Sequence, residues 1–430
     1  MKRLVHSKRI TLTSFLQSFV VFLIIFFNNE TFPSINSKFQ TIYILFVLAF
    51  VILLKMLIID KIVINNKSLI ALFIMFCLVL ITIILNNDLT GGYFKILVCL
   101  LIGFSFTIYL QLDIFTEKYI RVMLFLSICS LLALYLLKPI ILLLPEAIFP
   151  RFLNSEELPL INARFSYIVN RDGYYRNFGI FREPGVYQVF LNFALIFELF
   201  AVKRSAKIAY VAILTATIIT TFSTPGILTA LILILVYILQ KDKKNIVLYK
   251  KGLYLRHTLF PILLGVALIV IITDKQLINN ILRSFSKLNI ENKSMSIRLS
   301  AIVTNIIVWI KKALFGNGIS GLYDVRDLMK SSISDINNTS TSGALLSTFG
   351  VLFTSIYHVL LFMLIQSFKG NKLTSIIIFG VILFIINSQL LIYNELLYLI
   401  LFFGISYSPY TVQERELRNS GTKKCKGNVA

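Results

Sequence analysis

Long apolar runs, broken by short polar segments, fill this chain. In order they cover 10–27, 40–59, 68–85, 93–111, 119–137, 184–202, 206–222, 225–240, 257–273, 343–366, 373–387 and 389–405. They lack the period-2 alternation of a barrel strand. Runs of about 17–22 residues match a helix crossing about 30 Å of hydrocarbon. In lipid the backbone must close its own hydrogen bonds, which a helix does. The pattern predicts an all-α, polytopic integral membrane protein with about twelve transmembrane helices. The last two runs are continuous and too long for one crossing, so Asn387-Ser388-Gln389 is read as a tight turn between two short spans.

Two polar intervals interrupt the pattern, 138–183 and 274–342. The second contains a helical signal. Ser294 and Ser296 can cap it, and Ile297, Ala301, Ile302, Asn305, Ile306, Trp309, Ile310 and Ala313 recur at helical spacing. Trp309 with Lys311 and Lys312 suits an amphipathic helix in the membrane interface, ended by Gly316 and Gly318. The short segments carry most of the lysines and arginines on alternate sides of the predicted spans. This places the N- and C-termini in the cytoplasm (N-in/C-in) and makes both intervals outward loops. Residues 1–430 read as one membrane domain with a basic cytoplasmic tail over 406–430.

Composition narrows the class. With 57% hydrophobic and 14% charged residues, and a mean hydropathy of +0.84, the chain has too little polar surface for a soluble protein. The net charge of +22 would point to nucleic acid in a soluble chain. Here orientation in the membrane explains it, and no nucleic-acid partner is expected. Cys77, Cys99, Cys129 and Cys425, with His6, His257 and His358, have no metal-site spacing. The first run ends in Phe26-Phe27-Asn28-Asn29 and reads as a span rather than a cleavable signal.

The candidate chemistry lies in the loops. The first carries Arg151, Arg164, Arg171, Arg176 and Arg182, and no lysine between Pro139 and Glu183. Guanidinium groups fit phosphate oxygens bidentately and are always charged, so this choice points to an anionic substrate as readily as to pairing within the loop. Pro184 suits the first turn of the next span, whose amides would face any bound anion. Glu183 and Asp172 are candidate bases, although Glu183 serves equally as a carboxylate at a helix N-terminus. Tyr174 and Tyr175 fit stacking on sugar rings or an interfacial aromatic belt. In the second loop Arg283, Arg298 and Arg326 are candidate anion contacts, with Asp324, Asp327 and Asp335 as candidate bases. Arg298 sits in the first turn of the predicted helix, where a cation opposes the helix dipole. Gln188, Asn192, His358 and Glu395, inside or at the ends of spans, are expected to hydrogen-bond between helices.

Arg176-Asn177-Phe178-Gly179-Ile180-Phe181-Arg182-Glu183-Pro184-Gly185 is followed by Phe222-Ser223-Thr224-Pro225-Gly226-Ile227-Leu228. Then come Ser296-Ile297-Arg298-Leu299 and Leu314-Phe315-Gly316-Asn317-Gly318. Together with the span pattern, this resembles the bacterial O-antigen polymerase and ligase superfamily over residues 170–405. Ligases of that superfamily carry a histidine in the large outer loop. This chain has none between His257 and His358, which favours a polymerase. The resemblance implies a metal-independent and cofactor-free glycosyltransferase of the bacterial cytoplasmic (inner) membrane. It would join undecaprenyl-diphosphate-linked repeat units into O-antigen, capsule or exopolysaccharide at the outer face. The alternatives are a flippase for lipid-linked oligosaccharide and an O-antigen ligase. Arg176, Arg182 and Arg298 would contact the diphosphate and Glu183 would act in catalysis. Arg164, Arg171, Asp172, Tyr175 and Arg326 would help bind the glycan carrier. The implied partners are that lipid-linked glycan, membrane lipid, a chain-length regulator and a flippase.

Overall fold

A computed structural model describes residues 2–32, 41–60, 65–146, 148–153, 159–163, 165–171, 174–240, 293–332, 338–368 and 370–406. The predicted span at 257–273 and the tail beyond 406 lie outside the described residues. The chain is mostly helical. Among the described residues, six helical stretches are long and apolar enough to cross a membrane: Ile42–Ile59, Asn66–Asn86, Gly91–Tyr109, Leu112–Ile141, Pro184–Ala201 and Thr341–Gln366. Thr13–Phe26, Ile208–Thr220, Thr224–Leu239, Lys372–Ile386 and Glu395–Ser406 are apolar helices below that length. The protein is therefore a helical membrane protein.

The helices are α1 (Lys2–Phe26), α2 (Thr41–Leu54), α3 (Asn66–Asn86), α4 (Gly91–Tyr109), α5 (Leu112–Leu131), α6 (Lys138–Leu143), α7 (Pro184–Ile196), α8 (Ile208–Thr220), α9 (Thr224–Leu239), α10 (Lys293–Lys311), α11 (Ser320–Ser332), α12 (Thr341–Gln366), α13 (Lys372–Ile386) and α14 (Glu395–Ser406). Wider π-type turns extend α2 to Ile59, α5 to Leu137 and α7 to Ala201. Local chemistry sets several ends. The Asn65 side chain accepts from Lys67 N and Asn371 accepts from Thr374 N, each capping a helix start. Asn87 closes α3 in the left-handed region, with φ of 47°.

Helix α14 sits at the centre of the packing and is held by backbone contact. A Cβ on Gly103 of α4 would lie 2.7 Å from the Tyr398 carbonyl carbon, and one on Gly404 would lie 2.1 Å from the Leu360 oxygen of α12. Only glycine allows either approach. Ser68 and Ser406, 3.4 Å apart, mark the lower end of the bundle. Asn86 and Gly91, which flank the α3–α4 turn, mark the upper end. Cys99 donates to the Tyr393 carbonyl at 3.5 Å, so the start of α14 lies about 12 Å below Gly91 at 1.5 Å per residue. Helix α14 is thus about 18 Å long and stops well inside the bundle.

Two features depart from the sequence reading. The first loop, expected to lie in an all-α fold, contains a four-stranded antiparallel sheet. Its strands are β1 (Arg151–Leu153), β2 (Pro159–Asn162), β3 (Tyr167–Arg171) and β4 (Tyr174–Asn177), paired in the order β1-β2-β3-β4. Ile161 and Ile168 of the sheet pack against Ala133, Leu134 and Ile141 on the extension of α5 and on α6.

The expected single span at 343–366 is in fact two arms. Gly350 has φ of 71° and ψ of −173°, a conformation open only to glycine. Ser342 Oγ lies 3.0 Å from His358 Nε2, so the arms 341–349 and 351–366 fold back beside each other. On a straight helix those residues would be about 24 Å apart. The bend crosses the 313–318 turn, backbone against backbone. Asn317 N donates to Ser347 O at 2.8 Å, Gly318 N to Thr348 O at 3.0 Å and Val351 N to Ala313 O at 2.9 Å.

The second-loop helix runs Lys293–Lys311 as α10, and a further helix, α11, follows it. Ala301, Thr304, Asn305 and Val308 of α10 are buried, while Ile302, Val303, Ile306, Ile307 and Ile310 are exposed. Its small and polar stripe faces the protein, and its bulky apolar face points away, as suits contact with lipid.

Gly350→Ala would force an L-residue to positive φ and place its Cβ 2.3 Å from the Leu314 carbonyl oxygen. The expected loss is about 2 kcal/mol or more, read as a lowered thermal unfolding midpoint in detergent. An unchanged midpoint would mean the fold-back is not needed.

Candidate functional site

The N-terminal ends of α7, α9, α12 and α14 meet on one polar seam. Two irregular turns, 27–32 and 387–394, complete it. The Asn28 side chain donates to Glu395 Oε2 at 2.9 Å and accepts from Asn394 Nδ2 at 3.0 Å and from Glu30 N at 3.1 Å. The Asn29 amide donates to the same Glu395 oxygen at 3.2 Å. From α7, Gln188 donates to Ser388 Oγ at 3.1 Å. Asn192 donates to Gln188 Oε1 at 3.1 Å and to the Gly226 carbonyl of α9 at 3.3 Å. From α12, Thr341 donates to the Gln389 carbonyl at 2.6 Å and accepts from Leu391 N at 2.9 Å. Gln389 lies against Gly185, where a Cβ would come within 2.1 Å of its amide nitrogen. Four helix N-termini therefore converge, each with the positive end of its dipole on the seam.

Arg182 and Glu30 join this seam to the first loop. A bridge pairs Thr31 with Phe181, and Arg182 N donates to Glu30 O at 3.0 Å. The guanidinium Nε then donates to Glu30 Oε2 at 2.6 Å. Glu30 is 5% exposed. Burial pushes its carboxyl above the usual range, and Arg182 opposes that through charge and hydrogen bond. Burial also pulls Arg182 down, but Glu30 and Glu183 outweigh it and hold the guanidinium charged.

The other residues singled out from sequence are dispersed. Arg176 donates from Nε to the Thr221 carbonyl at 3.1 Å and from Nη2 to the Phe222 carbonyl at 3.2 Å. It fastens the sheet to the end of α8, where Phe222 has φ of 48°. Glu183 is the cap residue of α7, makes no side-chain cap bond and lies 3.9 Å from Arg182. Tyr175 carries Lys138 Nζ 4.2 Å from its ring centre. Arg171 ends β3 opposite Tyr174. Arg326, on α11, is half exposed, lies 3.8 Å from Asp327 and stacks over Tyr323 at 5.3 Å. Arg164, Asp172, Arg283 and Asp335 lie outside the described residues.

Arg298 is different. It is half-buried on α10, on the stripe it shares with Ala301, Asn305 and Val308. Asn305 accepts from Ser347 Oγ at 2.8 Å and donates to Asn338 Oδ1 at 3.1 Å, which anchors this face to the first arm of α12. Arg298 lies two turns earlier on the same stripe. Among the described residues it has no hydrogen bond or ion pair.

Sequence reasoning missed Glu30. Its signal was there: Asn28-Asn29-Glu30 follows an apolar run directly. It was read only as the end of a span. Comparison with sequence families, with curated proteins and with solved structures finds no match.

Arg182→Ala should cost about 3 kcal/mol, the lower end for breaking a buried pair, because a third of the arginine is exposed. Glu30 is then stranded and is tolerated only by binding a proton. A carboxyl with a raised folded-state pKa loses its contribution as pH rises through that value. The variant should therefore melt progressively lower as pH rises, and Glu30→Gln added to it should remove the pH dependence. A pH-independent midpoint in the single variant would count against the buried pair.

Proposed function

We propose that this protein is a glycosyltransferase that joins oligosaccharide repeat units carried on a polyprenyl diphosphate, at the outer face of a bacterial cytoplasmic membrane. The observation that carries the reading is Arg298. Among the described residues this half-buried guanidinium, in the second turn of α10, has no partner to offset its desolvation. A bound anion would remove that penalty. Four helix N-termini that converge on the seam supply a further positive field.

The lower end carries Lys118, Arg121, Lys203, Arg204 and Lys207. The bias of cations towards the cytoplasmic side supports placing that end inside and the seam towards the exterior. The reaction fits such a site. Diphosphate leaves with the electron pair of its bond to the anomeric carbon, and fixed donors stabilise the charge that develops. A hydroxyl of the incoming unit attacks that carbon and gives up its proton to a base. Arg298 supplies charge to the diphosphate, and Arg182, locked by Glu30, lines the same seam. Arg176 serves chiefly to hold the sheet in place.

Deleting the gene and running surface glycan on a gel tests the reading. Loss of a polymerase leaves a single repeat and no ladder. A missing surface glycan with polymer retained on carrier lipid would indicate a ligase, single repeats trapped facing the cytoplasm a flippase, and an unchanged ladder would remove the glycan reading.

Arg298→Ala should lower chain extension by about a hundredfold or more, the scale for removing one transition-state donor. Because no bond to a described residue is lost, its unfolding midpoint should stay at the wild-type value, in contrast to Arg182→Ala. A wild-type ladder from this variant would discard Arg298 as a substrate contact.

A further inference from the structure

The fold-back at Gly350 brings a serine and a histidine together. Ser342 Oγ is 3.0 Å from His358 Nε2, and His358 Nδ1 is 2.7 Å from the Thr354 carbonyl. A carbonyl only accepts, so a neutral imidazole carries its proton on Nδ1 and turns the lone pair of Nε2 towards Ser342. This is the arrangement that makes a hydroxyl basic: a base in contact with it, held in one tautomer by a third group. Both side chains are half-buried rather than sealed.

The pair borders the seam that Arg182 joins and the face of α12 that packs on α10. The Ser342 amide donates to Asn387 Oδ1 at 2.7 Å, and the neighbouring Thr341 hydroxyl bonds the Gln389 carbonyl at 2.6 Å. Gln389 lies against Gly185, three residues from Arg182. On the other side a Cβ on Gly343 would lie 3.1 Å from Asn305, two turns along α10 from Arg298. Ser342 is thus in the first turn of the arm, at a helix N-terminus, with α10 packed beside it.

We infer that His358, acting through Ser342, is the base that accepts the proton of the attacking sugar hydroxyl, on the arms that Gly350 folds together. This rests on the glycosyl-transfer reading above. The acceptor oxygen forms its bond to the anomeric carbon while the carbon–oxygen bond to diphosphate breaks and its electron pair leaves with the diphosphate. The acceptor proton passes to Ser342 Oγ, and the serine proton passes to His358 Nε2. The imidazolium then returns its proton to solvent. Glu183, 46% exposed and 3.9 Å from Arg182, is not required for this transfer.

The test uses the full-length protein in phospholipid nanodiscs with a polyprenyl-diphosphate-linked oligosaccharide. It reads extension, binding of that lipid and the unfolding midpoint. His358→Gln should bind the lipid as the wild type does and lose about a hundredfold or more in extension, the scale of a general base. Ser342→Ala should lose less, about tenfold, since water can stand in for the hydroxyl. In His358→Ala, added imidazole should restore part of the rate. Wild-type extension by His358→Gln overturns the inference alone. Loss of extension with a lowered midpoint and no recovery in imidazole also overturns it, by assigning the pair to holding the fold-back. A wild-type protein that binds the lipid but never extends it overturns the glycosyl-transfer reading, and this inference with it.

Discussion

Polar backbone cannot be left unpaired where water is absent. Helix α14 ends below the level reached by its neighbours. The turns around its tip are therefore packed between other helices, and Asn28, Ser388 and Asn394 are buried. The 27–32 turn, the 387–394 turn and the head of α12 meet this constraint by bonding to one another. Asn28, Glu395 and Thr341 each satisfy groups from a different segment. The seam exists because α14 stops short, and its composition follows from that burial.

The same constraint sorts the charges. At the seam the buried Glu30 has Arg182 beside it, whereas Glu395 accepts from the Asn28 side chain and the Asn29 amide. At the lower end Glu198 is fully buried and takes Arg204 in a bidentate pair, both contacts at 2.6 Å. Arg176 is committed to carbonyls at the end of α8. Against these settled groups Arg298 is the exception. A half-buried cation with no partner among the described residues is a reasonable place to look for a ligand.

The bundle was legible from the sequence because a run of apolar residues of crossing length has few other stable fates. The fold-back in α12 was not. Thr348-Phe349-Gly350-Val351 lies inside an uninterrupted apolar run, and hydropathy does not register a change of direction. What decides it is backbone contact between Gly350 and the distant 313–318 turn, a tertiary fact. The sheet escaped for a related reason: its strands are short, and their apolar side packs on α5 and α6 rather than on a core of their own. At the site, residue type revealed the arginine-rich segments, but not which guanidinium was engaged. Arg176, Arg182 and Arg298 are alike as letters. Partners many residues away, Glu30 and the Thr221 and Phe222 carbonyls, distinguish them.

Gly103 and Gly404 grip α14 from two sides with no side chain between the backbones. Two helices in such contact cannot slide past each other without separating first, because no layer of flexible atoms absorbs the shear. Helix α14 is therefore keyed to α4 and α12 like a peg between two plates. Glu395 and Asn394 at its tip, and the Asn28 turn bonded to them, travel with those helices as one rigid piece. The Gly350 bend is keyed to Gly316 in the same way, backbone against backbone.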